Sequence, residues 1–215
     1  MAKGSGTALA PDVAQEAEPL FRDAIRLLQA GDAGAASLLP RLEAFAAYAP
    51  GWLALGEVLR DRGQRVAAVL AFRRAAAAGE VPALLHRAGQ GLAALGQGKA
   101  AEAAFRAALD LDADFAPAWY SLGLSLQDSR DFTAAAEAFG RALAGKPDFH
   151  EAAFNQGVVL QEAGQMEAAL AAYAEAYKLR PESFGRIAQA LVASPQGALW
   201  LKPSALRAVL SGGGC

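Results

Sequence analysis

Trp119-Tyr120-Ser121-Leu122-Gly123 opens the stretch of sequence that decides the fold, and Pro147 ends it. Within this stretch Trp119, Leu122 and Leu126 recur at positions i, i+3 and i+7. This spacing places the three side chains on one face of an amphipathic helix. We therefore predict a helix that begins near Trp119 and packs through this face.

Gly123 stands inside the predicted helix, where glycine costs about 1 kcal/mol relative to alanine. Such a residue is tolerated where another backbone must approach closely, and the small Ala135 of the next helix is the natural candidate. Arg130-Asp131 is expected to form the turn between the two helices, and Pro147 to end the second. The stretch thus predicts a helical hairpin.

The same pattern recurs along most of the chain. Its glycines are separated by 33, 34 and 34 residues, and an alanine, an aromatic residue and a second alanine follow each glycine at constant distances. Because one hairpin cannot bury its own apolar face, such recurrence predicts a stack of hairpins. The four columns are Gly56, Gly89, Gly123 and Gly157; Ala68, Ala101, Ala135 and Ala169; Phe72, Phe105, Phe139 and Tyr173; and Ala75, Ala108, Ala142 and Ala176.

This pattern resembles the tetratricopeptide repeat, which reads Trp-x2-Leu-Gly-x2-Tyr, then Ala-x3-Phe, then Pro. Leu126 takes the place of the Tyr. The resemblance implies an all-α fold, a right-handed α-solenoid of antiparallel hairpins with a C-terminal capping helix. It covers residues 49–183 strongly and residues 15–48 weakly.

The expected boundaries follow from the repeat and from the helix signals around it. We predict helices from about Pro19 to Ala30 and from Ser37, as a cap, to Tyr48; together they make a degenerate first hairpin at 12–48. The other predicted segments are a disordered N-terminus at 1–11, four repeats at 49–81, 82–115, 116–149 and 150–183, a capping helix with an apolar tail at 184–210, and a flexible tail at 211–215.

Composition narrows the function classes. The formal net charge of −2 argues against nucleic-acid binding as the main activity, which needs a basic face. No apolar run reaches the roughly 18 residues of a membrane span, and no signal peptide is recognised after Met1. A cytoplasmic location is therefore predicted. The single Cys215 excludes an intramolecular disulfide and is interpreted as an incidental thiol.

The sequence contains no convincing catalytic, cofactor or metal site. Gly89-Gln90-Gly91 and Gly96-Gln97-Gly98 match part of a dinucleotide motif, but that motif requires a preceding strand, and here the first lies in a helix and the second in a hairpin turn. His86 and His150 fall at different offsets in different repeats, which excludes a shared site. We predict a protein that is not an enzyme and has no cofactor or metal.

The family resemblance implies a partner, a peptide or extended protein segment lying in a groove lined by the first helices. A carboxylate clamp of the chaperone-binding type is not supported, because Leu53, Glu57 and Ala83 stand where Lys or Asn would be needed. For Tyr120 and Phe154 a core position remains an equal alternative. The implied groove residues are Leu53, Glu57, Arg60, His86, Arg87, Gln90, Tyr120, Leu124, Gln127, Phe154, Asn155, Val158 and Gln161.

Three functions remain open at this point. The favoured one is a non-catalytic adaptor; the others are a regulatory or positioning subunit of an enzyme complex acting on glycans or a methylation target, and a self-assembling scaffold. The apolar tail has two interpretations of its own. Leu199-Trp200-Leu201, with Leu206 and Val209, either seals the last repeat or occupies the groove through Trp200 until a partner displaces it.

Overall fold

The computed structural model describes residues 11–32, 34–193 and 203–212, and all regular structure in these ranges is helical. Short 3-10 turns lie at Glu43–Phe45 and Pro181–Ser183. The α-helices are α1 (Pro11–Ala30), α2 (Ala35–Leu42), α3 (Ala49–Asp61), α4 (Arg65–Ala78), α5 (Pro82–Ala94), α6 (Gly98–Leu111), α7 (Ala116–Asp128), α8 (Phe132–Gly145), α9 (His150–Glu162), α10 (Met166–Leu179), α11 (Phe184–Ala193) and α12 (Pro203–Leu210).

Two compact units divide the chain, residues 1–113 (unit 1) and residues 114–215 (unit 2). In unit 1, α1 packs against α2 and α3, and the hairpins α3/α4 and α5/α6 follow. In unit 2, the hairpins α7/α8 and α9/α10 are followed by α11 and α12. The predicted fold class, an all-α solenoid type built from consecutive helical hairpins, is confirmed.

Each hairpin is closed by an aromatic ring that packs against a glycine. A Cβ atom added to Gly123 in α7 would lie only 2.7 Å from the ring of Phe139 in α8. Ala135 lies fully buried one turn earlier in α8. At the matching Gly89 an added Cβ would also lie 3.2 Å from the backbone oxygen of Ala101, the residue that corresponds to Ala135. The expected close approach at the small alanine is thus accompanied by a bulky aromatic ring, which the sequence pattern had not indicated. The same pairing recurs as Gly56–Phe72, Gly89–Phe105 and Gly157–Tyr173.

The turn inside each hairpin contains one residue in the left-handed conformation. In three hairpins this residue is glycine, with φ of 74° at Gly63, 74° at Gly96 and 77° at Gly164. In the hairpin α7/α8 it is Arg130, with φ of 63°. Asp131 then caps α8 by accepting a hydrogen bond from the Ala134 amide at 3.2 Å, so the predicted turn at Arg130-Asp131 is confirmed.

The first helices differ from the prediction in their bounds. Helix α1 begins at Pro11 rather than near Pro19, which lies in its interior. The buried stripe of α1 already includes Ala17 before it continues to Phe21, so tertiary packing outweighs the local helix-breaking effect of Pro19. Ser37 does not cap α2 but lies within it, donating a hydrogen bond from Oγ to the Gly34 carbonyl at 2.6 Å.

Two helices cover the end of the last repeat. The predicted capping helix is present as α11, and it buries Ile187 and Leu191 completely. Helix α12 adds Leu206 and Leu210, which join these residues and Tyr173 in one apolar cluster. Residues 203–210 therefore pack on the last repeat, as the capping interpretation of the tail expects. The segment Leu199-Trp200-Leu201 and Cys215 lie outside the described residues.

Candidate peptide-binding grooves

An open apolar cleft lies between the first helices of two neighbouring hairpins in unit 1. Its volume is about 290 Å³, and a second cleft of about 250 Å³ adjoins it. Leu53 is buried in its lining with 4% of its surface exposed, whereas Val81 is 55% exposed. The first cleft is lined by Pro50, Leu53, Ala54, Val81, Ala83, Leu84 and Arg87, and the second shares Pro50, Val81 and Leu84.

The linker between α4 and α5 keeps this cleft open. Val81 is extended, with φ of −122° and ψ of 125°, and its carbonyl accepts hydrogen bonds from the amides of Leu84 and Leu85. Pro82 then begins α5, at a position where a missing amide hydrogen costs nothing. Because Val81 precedes the helix, its side chain forms part of the cleft wall instead of packing within the hairpin.

A salt bridge crosses the cleft rim from α3 to α5. Arg87 Nη2 lies 2.6 Å from Glu57 Oε1, and the two side chains are 57% and 34% exposed. Arg60, farther along α3, instead pairs with its neighbour Asp61 at 2.9 Å. The rim therefore presents a partly exposed guanidinium whose carboxylate partner is itself open to solvent, and so open to competition from another anion.

The remaining predicted groove residues of unit 1 fall into two environments. His86 is buried at 9% exposure, and its ring centre lies 5.7 Å from that of Phe105 inside the hairpin α5/α6. Gln90 is exposed on the surface of α5. A partner lying in the unit 1 groove would thus meet Gln90 directly and His86 only at its edge.

Aromatic side chains fill the corresponding place in unit 2. Tyr120 stands at the repeat position of Leu53, and its ring centre lies 4.7 Å from that of Phe149, which stands at the position of Val81. Asn155 donates a hydrogen bond from Nδ2 to the Tyr120 hydroxyl at 3.1 Å. Burial raises the pKa of Tyr120, so the phenol stays neutral. This predicted groove residue is therefore held by neighbours on α9 and its preceding linker.

Helix α11 covers two other predicted groove residues of unit 2. The Arg186 guanidinium lies 4.3 Å from the ring centre of Phe154, which is 8% exposed. Gln161, 1% exposed, donates to the Ala190 carbonyl at 3.1 Å and accepts a hydrogen bond from Tyr173 at 2.9 Å. These contacts link α9, α10 and α11. Leu124, Gln127 and Val158 remain exposed or half-buried.

Several residues that form these surfaces were not identified from the sequence. Val81 and Leu84 belong to the linker and start of α5, and Arg186 belongs to α11, whereas the groove had been inferred only from fixed offsets in the first helices. A signal existed for Val81, because the first repeat is one residue short and ends in Gly79-Glu80-Val81 where proline is usual. An apolar residue in such a linker indicates that its side chain packs against other residues or lines an apolar surface.

Within the ranges that the structure describes, no group of three or more His, Cys, Asp or Glu side chains is arranged to hold a metal ion. None of the helices in those ranges is both long enough and apolar enough to span a bilayer.

Comparisons with known proteins agree on the repeat. Residues 120–184 match the family model of the tetratricopeptide repeat. The crystal structure of YrrB, a TPR protein with an unusual peptide-binding site, is 21% identical with a TM-score of 0.62, over 88% of this chain and 93% of that one. A crystal structure of MamA is 19% identical with a TM-score of 0.61, over 81% and 95%. MamA 41-end from Desulfovibrio magneticus RS-1 is 20% identical with a TM-score of 0.60, over 77% and 94%.

No curated protein sequence matches the chain significantly. At identities near 20% the likeness to the solved structures establishes the fold alone. Function must therefore be argued from the surfaces of this chain.

Proposed function

We propose that this chain, whose residues 120–184 match the tetratricopeptide repeat model, is a non-catalytic adaptor that binds a peptide or extended protein segment in the groove lined by the first helices of its hairpins. The observation that carries the proposal is the open apolar cleft of unit 1, where Leu53, Val81 and Leu84 surround unfilled space beside the Glu57–Arg87 pair. Repeat folds of this kind generally serve as interaction scaffolds, and YrrB is a TPR protein with a peptide-binding site.

The size of the cleft suits one large aliphatic or aromatic side chain of a partner. Burying a Val, Leu, Ile or Phe side chain contributes about 1.5 to 3 kcal/mol, which is enough to anchor a segment whose backbone lies across the groove. Arg87 stands beside this anchor, and its partner Glu57 is accessible. A carboxylate on the bound segment can therefore replace Glu57 as the ligand of the guanidinium, which adds orientation to the apolar anchor.

In unit 2 we propose a supporting role for the exposed groove residues. Leu124, 37% exposed, and the half-buried Val158 and Gln127 offer contact surface on the first helices of this unit. We assign a different role to three residues that already contact neighbouring side chains or backbone, namely Tyr120, Phe154 and Gln161. They shape this surface and do not form its main contacts with the partner.

The test uses peptides selected from a random library against the full chain, with binding then measured by fluorescence anisotropy. Val81→Asp places a charge in the cleft wall and is expected to weaken binding at least about tenfold, because an unpaired carboxylate opposes apolar contact. Val192→Asp is the matched control, since Val192 is also an exposed valine, 61% exposed, on α11. Unchanged circular dichroism establishes that both variants fold. Equal binding of the selected peptides to both variants would contradict the proposed cleft.

A further inference from the structure

The outward face of α4 in unit 1 carries apolar side chains where a solvated helix would carry polar ones. Val66 is 87% exposed and Leu70 is 52% exposed. With Arg73 and Ala77 they form a stripe at i, i+4, i+7 and i+11, which is one line along the helix. Helix α4 is therefore apolar on its outer face as well as its inner one, a pattern typical of a helix with a partner on both sides.

Arg73 within this stripe and Lys99 of α6 beside it add positive charge to the face. Arg73 and Lys99 line an open groove of about 530 Å³ between α4 and α6. Arg73 donates a hydrogen bond from Nη2 to Gln97 Oε1 at 3.0 Å. Among the described residues neither cation forms a salt bridge. The outer face of unit 1, defined by Val66, Leu70, Arg73 and Lys99, is thus both apolar and positively charged.

The matching face of unit 2 has the opposite character. Glu137 stands at the repeat position of Leu70, and Glu167 stands at that of Lys99. In the part of the chain that the structure describes, neither carboxylate forms a salt bridge. Glu167 itself helps to line a shallow hollow of about 700 Å³, together with Gly164, Gln165 and the apolar side chains of Met166, Ala168 and Ala171. The outer face of unit 2, defined by Glu137, Glu167 and this hollow, offers both negative charge and room for apolar side chains.

We propose that the outer face of unit 1 is a docking surface for a second copy of this chain, which covers it with the outer face of its unit 2. Val66 and Leu70 of one molecule enter the hollow at Met166 of the other, and Lys99 and Arg73 meet Glu167 and Glu137. The contact joins two different faces, so it is heterologous, and repetition produces rings or open chains of molecules. This association is separate from peptide binding in the groove.

Sedimentation velocity from about 1 to 100 µM tests the contact. The unaltered chain is expected to associate, and more weakly at high salt because exposed charges are screened. Lys99→Glu and Glu167→Lys are each expected to weaken association at least about tenfold, since each places like charges opposite one another. Mixing the two variants restores opposite charges at every contact, so association should return. The single variant Leu70→Asp should abolish association, because it places a charge in the apolar part of the contact.

The controls separate this surface from others. Val192→Asp alters an exposed valine outside both faces, and Val81→Asp alters the groove; both variants should associate like the unaltered chain. A chain that stays monomeric throughout, association that survives both charge reversals, a mixture that fails to associate, or association lost through Val81→Asp would each overturn the proposal. All altered side chains are exposed, so thermal unfolding of the monomers is expected to be unchanged.

Discussion

Units 1 and 2 share the same columns of glycine, alanine and aromatic residues, yet their inner faces differ. At one pair of repeat positions unit 1 has Leu53 and Val81, which line a cleft of about 290 Å³. Unit 2 has Tyr120 and Phe149 there, whose rings are tilted by 37° with their centres 4.7 Å apart. The columns close the hairpins in both units. The residues between the columns differ, and they determine the shape of each inner face.

The terminal helices of the two units, in contrast, serve the same purpose. Unit 2 finishes with α11 and α12, which bury Ile187, Leu191, Leu206 and Leu210 over its last hairpin. Unit 1 begins with α1, whose Phe21 ring packs against Trp52 of α3 at 5.1 Å between centres. Each terminal element thus covers apolar surface that an isolated hairpin would expose to water.

The largest expected effect tests the cap of unit 2. Leu206→Ala and Leu210→Ala should each lower the free energy of unfolding by about 2 to 5 kcal/mol, because each removes a fully buried leucine from the terminal cluster. Urea unfolding followed by circular dichroism measures the change. Val192→Ala, at an exposed position of α11, is the control and should cost less than about 0.5 kcal/mol. A negligible loss in both leucine variants would show that α12 does not cap the unit.

A packing difference between the units predicts the next effect. In unit 1 the Phe72 ring also packs against Gly91 of α5, where an added Cβ would lie 2.5 Å from the ring; in α9 the same repeat position is Val159. Gly91→Val should therefore destabilise the protein by about 1 to 3 kcal/mol, although valine is native at that position in unit 2. Gly98→Val, where nothing lies within 4 Å, is the control. Equal urea midpoints for the two variants would refute this account of the ring.

His150 gives unit 2 a pH dependence of smaller expected size. The ring is buried, and neither ring nitrogen has a hydrogen-bond partner among the described residues, while Nδ1 lies 3.8 Å from Glu151 Oε1. Burial, with Arg180 nearby, lowers the pKa of His150 below its ordinary value of 6.5. As the pH falls, this histidine is therefore protonated at a higher pH in the unfolded chain than in the folded one. The free energy of unfolding decreases as the pH falls from 6.5 toward the lowered pKa of the folded state.

Urea midpoints measured at several pH values through this window test the effect of His150. The variant His150→Phe keeps a ring at the site but cannot take up a proton, so its stability should fall less over the same window. A pH dependence identical in the two proteins would contradict the assignment to this histidine.

The smallest effect concerns the hairpin turns. Three turns use glycine at the left-handed position, whereas α7/α8 uses Arg130 with φ of 63°. Arg130→Gly should stabilise the protein by about 1 kcal/mol, since glycine has no Cβ to strain in this conformation. Gly63→Ala, at the matching turn of unit 1, should act in the opposite direction by a similar amount. Thermal unfolding of the two variants measures both changes, and shifts of equal sign would disprove the common turn geometry.

Much of the fold was predictable because its determinants are local. The 34-residue recurrence and the turn at Arg130-Asp131 follow from helix periodicity and turn chemistry, and both agree with the structure. The Phe139 ring beside Gly123 was not predicted, because spacing along the chain places Ala135 and Phe139 on the same helix face and does not reveal which side chain reaches the glycine. Pro19 misled the prediction of α1 for a similar reason, since local helix breaking was outweighed by burial of Ala17.

The candidate site was less accessible to sequence reasoning. Fixed offsets placed Leu53 and Arg87 in the expected groove, and both line the cleft of unit 1. They did not indicate Val81, which lies in a linker, or Arg186, which lies in a capping helix. The offsets also grouped Gln161 with exposed residues, although two hydrogen bonds hold it at 1% exposure.

By itself the sequence determined the repeating hairpin, because helix periodicity, turn glycines and the recurrence of small and aromatic residues are properties of neighbours along the chain. Only the tertiary structure showed that unit 1 has an open cleft on its inner face. The cleft exists because Leu53 of α3 and Val81, 28 residues later, leave space that the rings of Tyr120 and Phe149 fill at matching positions. Whether such a space is filled depends on side chains that come into contact only after the hairpins pack. A pattern of neighbouring residues along the chain does not predict those contacts.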